Sequence, residues 1–219
     1  MGMGKAYKGV AMEGPIATWY AKNTGRDPRR FSTIAQAVFD RVPAGSRVLE
    51  VAPGPGFLAI DLAKSGRYSV AGLDISESFV RIALENARKR GVAVDFRHGN
   101  AAGMPFADAS FDFVVSVAAF KNFSDPAGAL NEIHRVLKPE GQASIYDLRK
   151  DASCDEIATG IRNMRLSTIN SLVTRWAFQF WLLRRAYTRA DLEKIVAQSR
   201  FKTCEIETDG AGFELRLAM

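Results

Sequence analysis

A glycine-containing loop preceded by a carboxylate is the first group of residues whose spacing suggests chemistry. Residues 47–59 read R-V-L-E-V-A-P-G-P-G-F-L-A, so Glu50 stands four positions ahead of Gly54, and Gly56 follows. Glycines here let a ligand come close to the backbone because no Cβ intervenes. The pattern suits either the pyrophosphate of a dinucleotide, for hydride transfer, or the cationic amino-acid end of a methyl donor. Glu50 favours the methyl donor, since a carboxylate repels pyrophosphate and attracts an ammonium group.

A second carboxylate, Asp74, ends the next apolar run in the sequence Gly-Leu-Asp-Ile-Ser. A carboxylate at this place can accept hydrogen bonds from both hydroxyls of a ribose. Both candidate ligands contain a ribose, so Asp74 supports a nucleoside-containing ligand without choosing between the two. The alternative is that Asp74 only begins the next helix, beside Ser76.

Short β-branched runs alternate with helical stretches from Arg47 onwards, which predicts βαβ units and a parallel sheet with helices on both faces. Ligands of such sheets bind at the carboxyl ends of the strands. Asp125 and Pro126 mark one helix start, and Thr188 with Asp191 forms a capping box for another. The predicted strands are Val48–Val51, Ser69–Leu73, Ala93–Arg97, Phe111–Val117 and Ala143–Tyr146, and the predicted helices are 57–65, 77–90, 126–137, one or two within 155–185, and 188–199.

The last residues predict that the sheet ends with an antiparallel strand. Lys202–Thr208 and Gly212–Ala218 both alternate apolar and polar residues, and Asp209-Gly210 lies between them. This pattern is typical of a β-hairpin. We expect one domain over residues 1–219, with a helical N-terminal lid (1–45), a core that binds the donor (46–150), a helical cap (151–190) and a closing helix and hairpin (191–219).

The later motifs decide between the two ligands. They are Arg97-His98-Gly99-Asn100-Ala101 after the third strand, Ser110–Ser116 as the fourth strand, and Glu132–Gly141 before the fifth. In this order the sequence resembles the class I S-adenosylmethionine-dependent methyltransferases, most closely the branch with the ubiquinone and menaquinone biosynthesis enzymes. The resemblance runs from about Val48 to Leu148. It implies an α/β, Rossmann-like, doubly wound sheet of about seven strands, mostly parallel with an antiparallel last strand, and a helical cap over the acceptor site.

The resemblance also implies S-adenosyl-L-methionine as cofactor and assigns residues to it. Glu50, Gly54 and Gly56 would surround the methionine moiety, and Asp74 would hold the ribose diol. Three departures from the usual loop are Ala52, where the family has its first glycine, and prolines at 53 and 55, which remove two amide donors. The full set implied for the cofactor is Glu50, Ala52, Gly54, Gly56, Asp74, Ile75 on the adenine face, Asn100 and Ala101 at the adenine edge, and Ser116 near the sulfonium.

Catalysis in this family mainly requires in-line positioning of the acceptor, because the sulfonium is already an excellent leaving group. A general base is needed only if the nucleophile arrives protonated. His98 is a candidate acid or base, or else a loop residue, whereas His134 is expected to have a packed structural role. Lys121 or Asn122, after the fourth strand, would orient the acceptor or only line the loop, and Asp147 is a further candidate, with Arg149 as its expected partner.

Aromatic residues suggest an apolar acceptor pocket. Its candidate residues are Trp19, Tyr20, Phe120, Trp176 and Phe180. Two alternatives stay open for the aromatic segment 175–185: ordinary packing of a lid on the core, or a basic amphipathic helix in peripheral contact with a membrane.

Composition restricts the remaining function classes. The net charge is +6, and basic residues concentrate after about residue 162, on a solvated face or on a surface for anionic substrates or membranes. No nucleic-acid motif, metal-ligand spacing or secretory signal is present, so we expect a cytoplasmic protein without nucleic-acid partners or a metal. The sequence does not indicate an oligomeric state.

The sequence as a whole predicts an S-adenosylmethionine-dependent methyltransferase that acts on a small, lipophilic or aromatic acceptor at O, C or N. An NAD-dependent oxidoreductase is the first alternative, and it is disfavoured by Glu50, by the antiparallel finish and by the lack of a Tyr-x-x-x-Lys pair. A non-catalytic scaffold that binds S-adenosylmethionine is the second alternative.

Overall fold

A computed structural model describes residues 7–8, 12–24, 29–163 and 183–219 of the chain. Seven strands in the described residues form one sheet. Their bounds are β1 Arg47–Val51, β2 Ser69–Asp74, β3 Asp95–His98, β4 Phe111–Val117, β5 Leu137–Leu148, β6 Glu205–Asp209 and β7 Gly212–Ala218.

Helices precede, connect and follow these strands. Two of them, α1 and α2, come before β1, in agreement with the helical pattern of the N-terminal residues. The helices are α1 Gly14–Thr24, α2 Arg29–Arg41, α3 Phe57–Lys64, α4 Glu77–Lys89, α5 Pro126–Val136, α6 Cys154–Asn163 and α7 Arg189–Gln198, and a 3-10 turn spans Phe120–Asn122.

The strand order is β3-β2-β1-β4-β5-β7-β6. Strands β1 to β5 run parallel to one another, whereas β7 is antiparallel to both β5 and β6. The order reverses between β1 and β4, and a crevice forms at the carboxyl ends of strands at such a switch point. The predicted Rossmann-like sheet with an antiparallel last strand is therefore confirmed.

Both faces of the sheet are apolar and covered. Leu49 and Val51 of β1 face a cluster that includes buried residues of α5 and α7, and Val48 faces the opposite cluster under α2 and α3. A parallel sheet buried on both sides is the arrangement that βαβ connections produce. The strand ends near the switch point are therefore held rigidly from above and below.

Glycine is required where α3 and α4 approach the sheet. A Cβ at Gly56 would lie 2.7 Å from the Phe96 ring and 2.9 Å from the Ala83 Cβ, and a Cβ at Gly72 would lie 2.5 Å from the same ring. Gly56 also has φ +80°, which an L side chain rarely adopts. The second loop glycine therefore serves helix packing, and it fixes where α3 begins.

Some predicted boundaries differ from the structure. The last strand but one begins at Glu205 and not at Lys202, because Lys202 has φ +65° and cannot continue an extended strand. Strand β5 begins at Leu137, where pairing with Phe111 starts directly after α5. The capping box at Thr188 and the N-cap at Asp125 are both present.

Part of the predicted cap lies outside the described residues. This applies to Trp176, to Phe180 and to the aromatic segment up to residue 182. Helix α6 covers only the first part of the predicted 155–185 helices. No helix in the described part of the chain is long and apolar enough to cross a membrane.

Candidate functional site

The loop after β1 takes a left-handed backbone at three positions. The φ angles of Ala52, Gly54 and Gly56 are +58°, +54° and +80°. A left-handed alanine costs about 1 kcal/mol more than a glycine, which accounts for the usual preference for glycine where Ala52 stands. No described atom lies within 4 Å of a Cβ built on Gly54, so the loop presents bare backbone to open space at that residue.

Asp74 holds this loop against the end of β2. Its carboxylate is 5% exposed, and it accepts hydrogen bonds from the backbone N–H groups of Gly54 and Ser76, both at 2.9 Å. Burial raises the pKa of Asp74 to about 6, although these two hydrogen bonds oppose the rise. The carboxylate thus lies directly beside the open face of Gly54.

Glu50 provides the N-terminal cap of α3 from the neighbouring strand. Gly56, at the N-cap position, has no side chain to offer, and the Glu50 carboxylate instead accepts from the Ala59 N–H at 2.8 Å. Burial raises the pKa of Glu50 to about 8, despite this hydrogen bond, and the negative charges of Asp74 and Asp61 raise it further. The sequence indicated the carboxylate but not this contact with the helix.

The amide groups of the loop are already in use. The Ala52 N–H donates to the Leu73 carbonyl at 2.7 Å and the Gly56 N–H donates to Pro53 at 3.0 Å, while Gly54 serves Asp74. Prolines at 53 and 55 have no N–H to donate. A pyrophosphate binds such a loop through its free amides and the helix N-terminus. Here the loop amides are bonded within the chain and a carboxylate caps the helix, so the loop is unsuited to a dinucleotide.

The loop after β3 lies beside the same crevice. His98 pairs in register with Asp74, and the next amide, of Gly99, donates to the Asp74 carbonyl at 2.9 Å. The exposed His98 ring donates to the Ile75 carbonyl at 3.1 Å. Asn100 accepts from the Ala102 N–H at 3.0 Å, which shapes the turn.

The structure therefore brings Asp74, Ile75 and Asn100 to one edge. Ala101, next to Asn100, is half-buried and packs against the core on the α5 side of the sheet.

Ser116, near the end of β4, carries a buried hydroxyl with no hydrogen-bond partner among the described residues. Ser116 as a whole is 1% exposed. An unsatisfied buried hydroxyl costs about 1–3 kcal/mol, and such groups in native proteins call for an explanation. Ser116 stands on the strand adjacent to β1 at the switch point, one residue before β4 ends.

Lys121 and Asp147 form a buried ion pair at the ends of β4 and β5. The Lys121 ammonium donates to Asp147 at 2.7 Å and to the Ala118 carbonyl at 2.7 Å, and both charged side chains are at most 4% exposed. The Asp147 carboxylate also accepts from the backbone N–H of Lys121 and of Leu148. This pair fastens the loop after β4 to the end of β5.

The prediction that Arg149 is the partner of Asp147 is wrong. Arg149 pairs with Asp151 and Glu156 and not with Asp147. The reason is geometric, because the loop after β4 lies against the end of β5 and places Lys121, and not Arg149, next to the Asp147 carboxylate. Lys121 is consequently committed to this pair inside the protein.

The N-terminal segment lies against the same loop. Tyr7 forms an antiparallel backbone bridge with Phe123, and the Lys8 N–H donates to the Asn122 carbonyl at 2.8 Å. Burial raises the pKa of Tyr7, and the negative charges of Asp74 and Asp147 raise it further, against an opposing effect of Arg185.

Tyr7 is therefore held against the loop after β4. Sequence reasoning missed this residue, because a lone tyrosine ahead of the first helix belongs to no motif.

Helix α1 is docked on the start of α4, directly after Asp74. The Glu13 carboxylate accepts from the Ser78 N–H at 3.1 Å, and the Ser76 hydroxyl donates to the Met12 carbonyl at 2.7 Å. Tyr20 packs edge-on against Phe79 of α4, with ring centroids 5.7 Å apart.

The other aromatic and histidine candidates occupy different environments. Trp19 is 67% exposed and points to solvent, whereas Phe120 is fully buried between Phe123 and Tyr187. Phe120 thus anchors the start of the loop after β4 in the core. His134 packs against the Phe201 ring, and burial lowers its pKa.

Comparison with known proteins identifies the fold and the domain. Residues 49–145 match the family described as "Methyltransferase domain". Over 101 residues the chain is 42% identical to a demethylmenaquinone methyltransferase of Chlorobaculum parvum, which covers 46% of this chain and 40% of that protein. It is 34% identical over 140 residues to the O-methyltransferase rstn1 of Aspergillus nomiae, which covers 58% of this chain and 62% of that protein.

A solved structure from Methanococcus maripaludis, a candidate S-adenosyl-L-methionine-dependent methyltransferase, has the same fold. It superposes with a TM-score of 0.76 over 99% of this chain and 96% of its own, at 21% identity. The sequence match over residues 49–145 is to a methyltransferase domain, and the fold of the chain is that of the S-adenosylmethionine-dependent methyltransferases. The chain spans about half the length of the curated relatives that it matches.

Glu50→Gln tests whether the buried carboxyl is held neutral. The folded protein raises the pKa of Glu50 from 4.5 to about 8, so Glu50 makes the fold less stable as the pH rises through this window, and the loss is complete above it. Glutamine cannot ionise. Relative to the wild type, the unfolding free energy of the variant should therefore rise by about 3 kcal/mol between pH 5 and pH 8. Urea unfolding at several pH values measures this difference.

Glu205→Gln is the matched control, because Glu205 has a side chain 80% exposed and its substitution should give a nearly constant difference. A constant difference for Glu50→Gln as well would show that Glu50 ionises in the folded protein without cost.

A double-mutant cycle tests the buried ion pair. Lys121→Met leaves the Asp147 charge buried without its partner and should lower the unfolding free energy by about 3–5 kcal/mol. Adding Asp147→Asn removes that charge and should recover part of the loss, which gives a coupling energy of at least about 2 kcal/mol. The exposed pair Lys89–Glu85 is the control, and Lys89→Met should cost less than about 1 kcal/mol. Additive effects at Lys121 and Asp147 would contradict this description of the pair.

Proposed function

We propose that the protein transfers a methyl group from S-adenosylmethionine to a small acceptor. The single observation that carries the proposal is the arrangement of Glu50 and Asp74 around the loop. They occupy the N–H groups of Gly54 and Ala59, and the Asp74 carboxylate lies beside the open face of Gly54. Such a site is complementary to a cationic ligand with a ribose.

The residues present fit this donor. When bound, S-adenosylmethionine supplies a methyl group on a cationic sulfur that is an excellent leaving group. Asp74 has acceptor capacity beyond its two amide bonds, and its ionised oxygens can receive the ribose hydroxyls. Glu50 would ionise when an ammonium group offsets its burial. The buried hydroxyl of Ser116, which has no hydrogen-bond partner among the described residues, lies on the next strand and would turn to a ligand in the crevice.

The adenine side is assigned to the loop after β3. Ile75 would pack on the adenine face, while Asn100 and Ala101 would meet its edge. Asn100 already accepts an amide at its oxygen, so its side-chain NH2 is the group that would donate to the ring. His98 lies at this edge and pairs with Ile75, which favours a role in shaping the adenine pocket over acid–base chemistry.

The acceptor would lie between the loop after β4 and the N-terminal segment. Tyr7 is held against that loop by its backbone bridge to Phe123. Burial, together with the negative charges of Asp74 and Asp147, raises the pKa of its hydroxyl. Lys121 acts through its ion pair, which positions Asn122 and the loop. The name of one curated relative, a demethylmenaquinone methyltransferase, supports a lipophilic quinone-like acceptor, and the name of the other, an O-methyltransferase, supports transfer to oxygen.

Turnover with an acceptor panel tests this function. The purified protein is incubated with S-adenosylmethionine and hydroxylated aromatics or quinones, and formation of S-adenosylhomocysteine is followed together with the methylated product. Asp74→Asn should lower kcat/KM about 10- to 100-fold, mainly through the KM for the donor, because it removes a charged acceptor.

Asp95→Asn, an exposed position at the start of β3, is the matched control and should leave the kinetics within about twofold. Tight donor binding without turnover across the panel would instead favour a scaffold. Oxidation or reduction of a nicotinamide cofactor would favour the oxidoreductase.

A further inference from the structure

A second cavity lies away from the donor crevice, between residue 8, residues 184–187 and helix α7. Its volume is about 490 Å³, which is large enough for a small phosphorylated molecule. None of the residues assigned to the donor lines it. The lining residues are Lys8, Lys150, Arg184, Arg185, Ala186, Tyr187, Asp191, Lys194 and Ile195.

The charge of this lining is strongly one-sided. Among the described residues that line it, five are basic and only one, Asp191, is acidic. Asp191 is already committed to the start of α7, where it accepts from the N–H and the hydroxyl of Thr188. These hydrogen bonds hold the pKa of Asp191 below its usual value, so its charge persists but its oxygens serve the capping box. The described lining residues of the cavity therefore carry an excess of four positive charges.

Four of the cations that line this cavity lack, within the described part of the chain, the ion pairs that neighbouring arginines form. Arg149 pairs with Asp151, and Arg189 with Glu193. Within the described part of the chain, no carboxylate lies within 4.0 Å of the charged groups of Lys8, Lys150, Arg184 or Lys194. Like charges gathered in a concave surface raise its potential and attract anions.

Hydrogen bonds between distant segments set the walls of the cavity. The Lys150 N–H donates to the Tyr187 carbonyl at 3.0 Å, and the Lys8 ammonium donates to the Tyr187 hydroxyl at 3.1 Å. The Arg185 guanidinium donates to the Lys8 carbonyl at 2.9 Å. Three chain segments are thus joined around the basic groups, which lowers the entropy that a ligand would have to remove.

The cavity is connected to the loop after β4. The Tyr187 ring packs on Phe120 with centroids 5.7 Å apart, and the Lys8 N–H is bonded to Asn122. A ligand in the cavity would therefore contact residues that also hold the loop after β4 in place.

We propose that this basic cavity binds the phosphate group of a phosphorylated ligand. A dianionic phosphate matches the excess positive charge better than a single carboxylate does. Lysine ammonium groups bind phosphate as point charges, and an arginine can donate two parallel hydrogen bonds to it. The phosphate belongs either to a free small molecule or to a lipid headgroup at a membrane surface. Neither source depends on methyl transfer, so the proposal stands apart from the proposed function.

Titration of the full chain with glycerol 3-phosphate tests the proposal, with heat as the readout and glycerol as the uncharged probe. Saturable binding of the phosphate ester alone is expected. Lys150→Gln combined with Lys194→Gln, both at exposed positions, should weaken it at least tenfold. Lys22→Gln combined with Lys64→Gln removes the same charge elsewhere on the surface and should change the affinity less than about twofold.

A parallel titration with vesicles that contain phosphatidylglycerol separates the two sources of phosphate. Binding of glycerol 3-phosphate supports a free ligand, whereas binding of vesicles alone, lost in the Lys150/Lys194 variant only, supports a headgroup. Equal weakening by both double variants, or no saturable binding of either probe, would overturn the proposal. Arg184→Gln provides a second variant with the same expected loss, should the lysine variant unfold.

Discussion

The structure of the candidate site depends on two buried carboxylates at a glycine-containing loop. They accept hydrogen bonds from backbone N–H groups that could otherwise bind the phosphate of a ligand. Glu50, on β1, caps α3 through the Ala59 N–H, and Asp74 anchors Gly54, so each carboxylate satisfies a backbone amide in or next to the loop. Burial makes both side chains easier to protonate than free carboxyl groups. Retaining such groups costs stability, and a cationic ligand that stabilises their ionised forms offers a physical reason for that cost.

A comparable arrangement fixes the loop on the other side of the switch point, which is the proposed acceptor side. The Lys121–Asp147 pair fastens the loop after β4, and the backbone of residues 7–8 adds to the edge of that loop. Because buried pairs are rigid only when both partners stay in place, the shape of this loop depends on contacts between β4 and β5 as well as on the N-terminal segment. The proposed donor side and the proposed acceptor side are thus both held at fixed strand ends.

Local patterns in the sequence predicted most of the fold, because caps, alternation and turn residues act within a few positions. The capping box at Thr188 and the terminal hairpin belong to this group. The Lys121–Asp147 pair and the position of Tyr7 depend on how distant strand ends meet, and no local pattern encodes that geometry. The sequence did not predict the contact of Glu50 with Ala59 for the same reason, since this contact depends on where α3 lies above β1.

The most direct test of the central claim is a calorimetric titration of the protein with S-adenosylhomocysteine and, separately, with NAD. The carboxylates and the occupied amides predict a micromolar Kd for S-adenosylhomocysteine, which corresponds to about 8 kcal/mol, and no saturable heat with NAD. Saturable NAD binding without binding of S-adenosylhomocysteine would contradict the account, because it would show that the loop accepts a pyrophosphate despite Glu50 and Asp74.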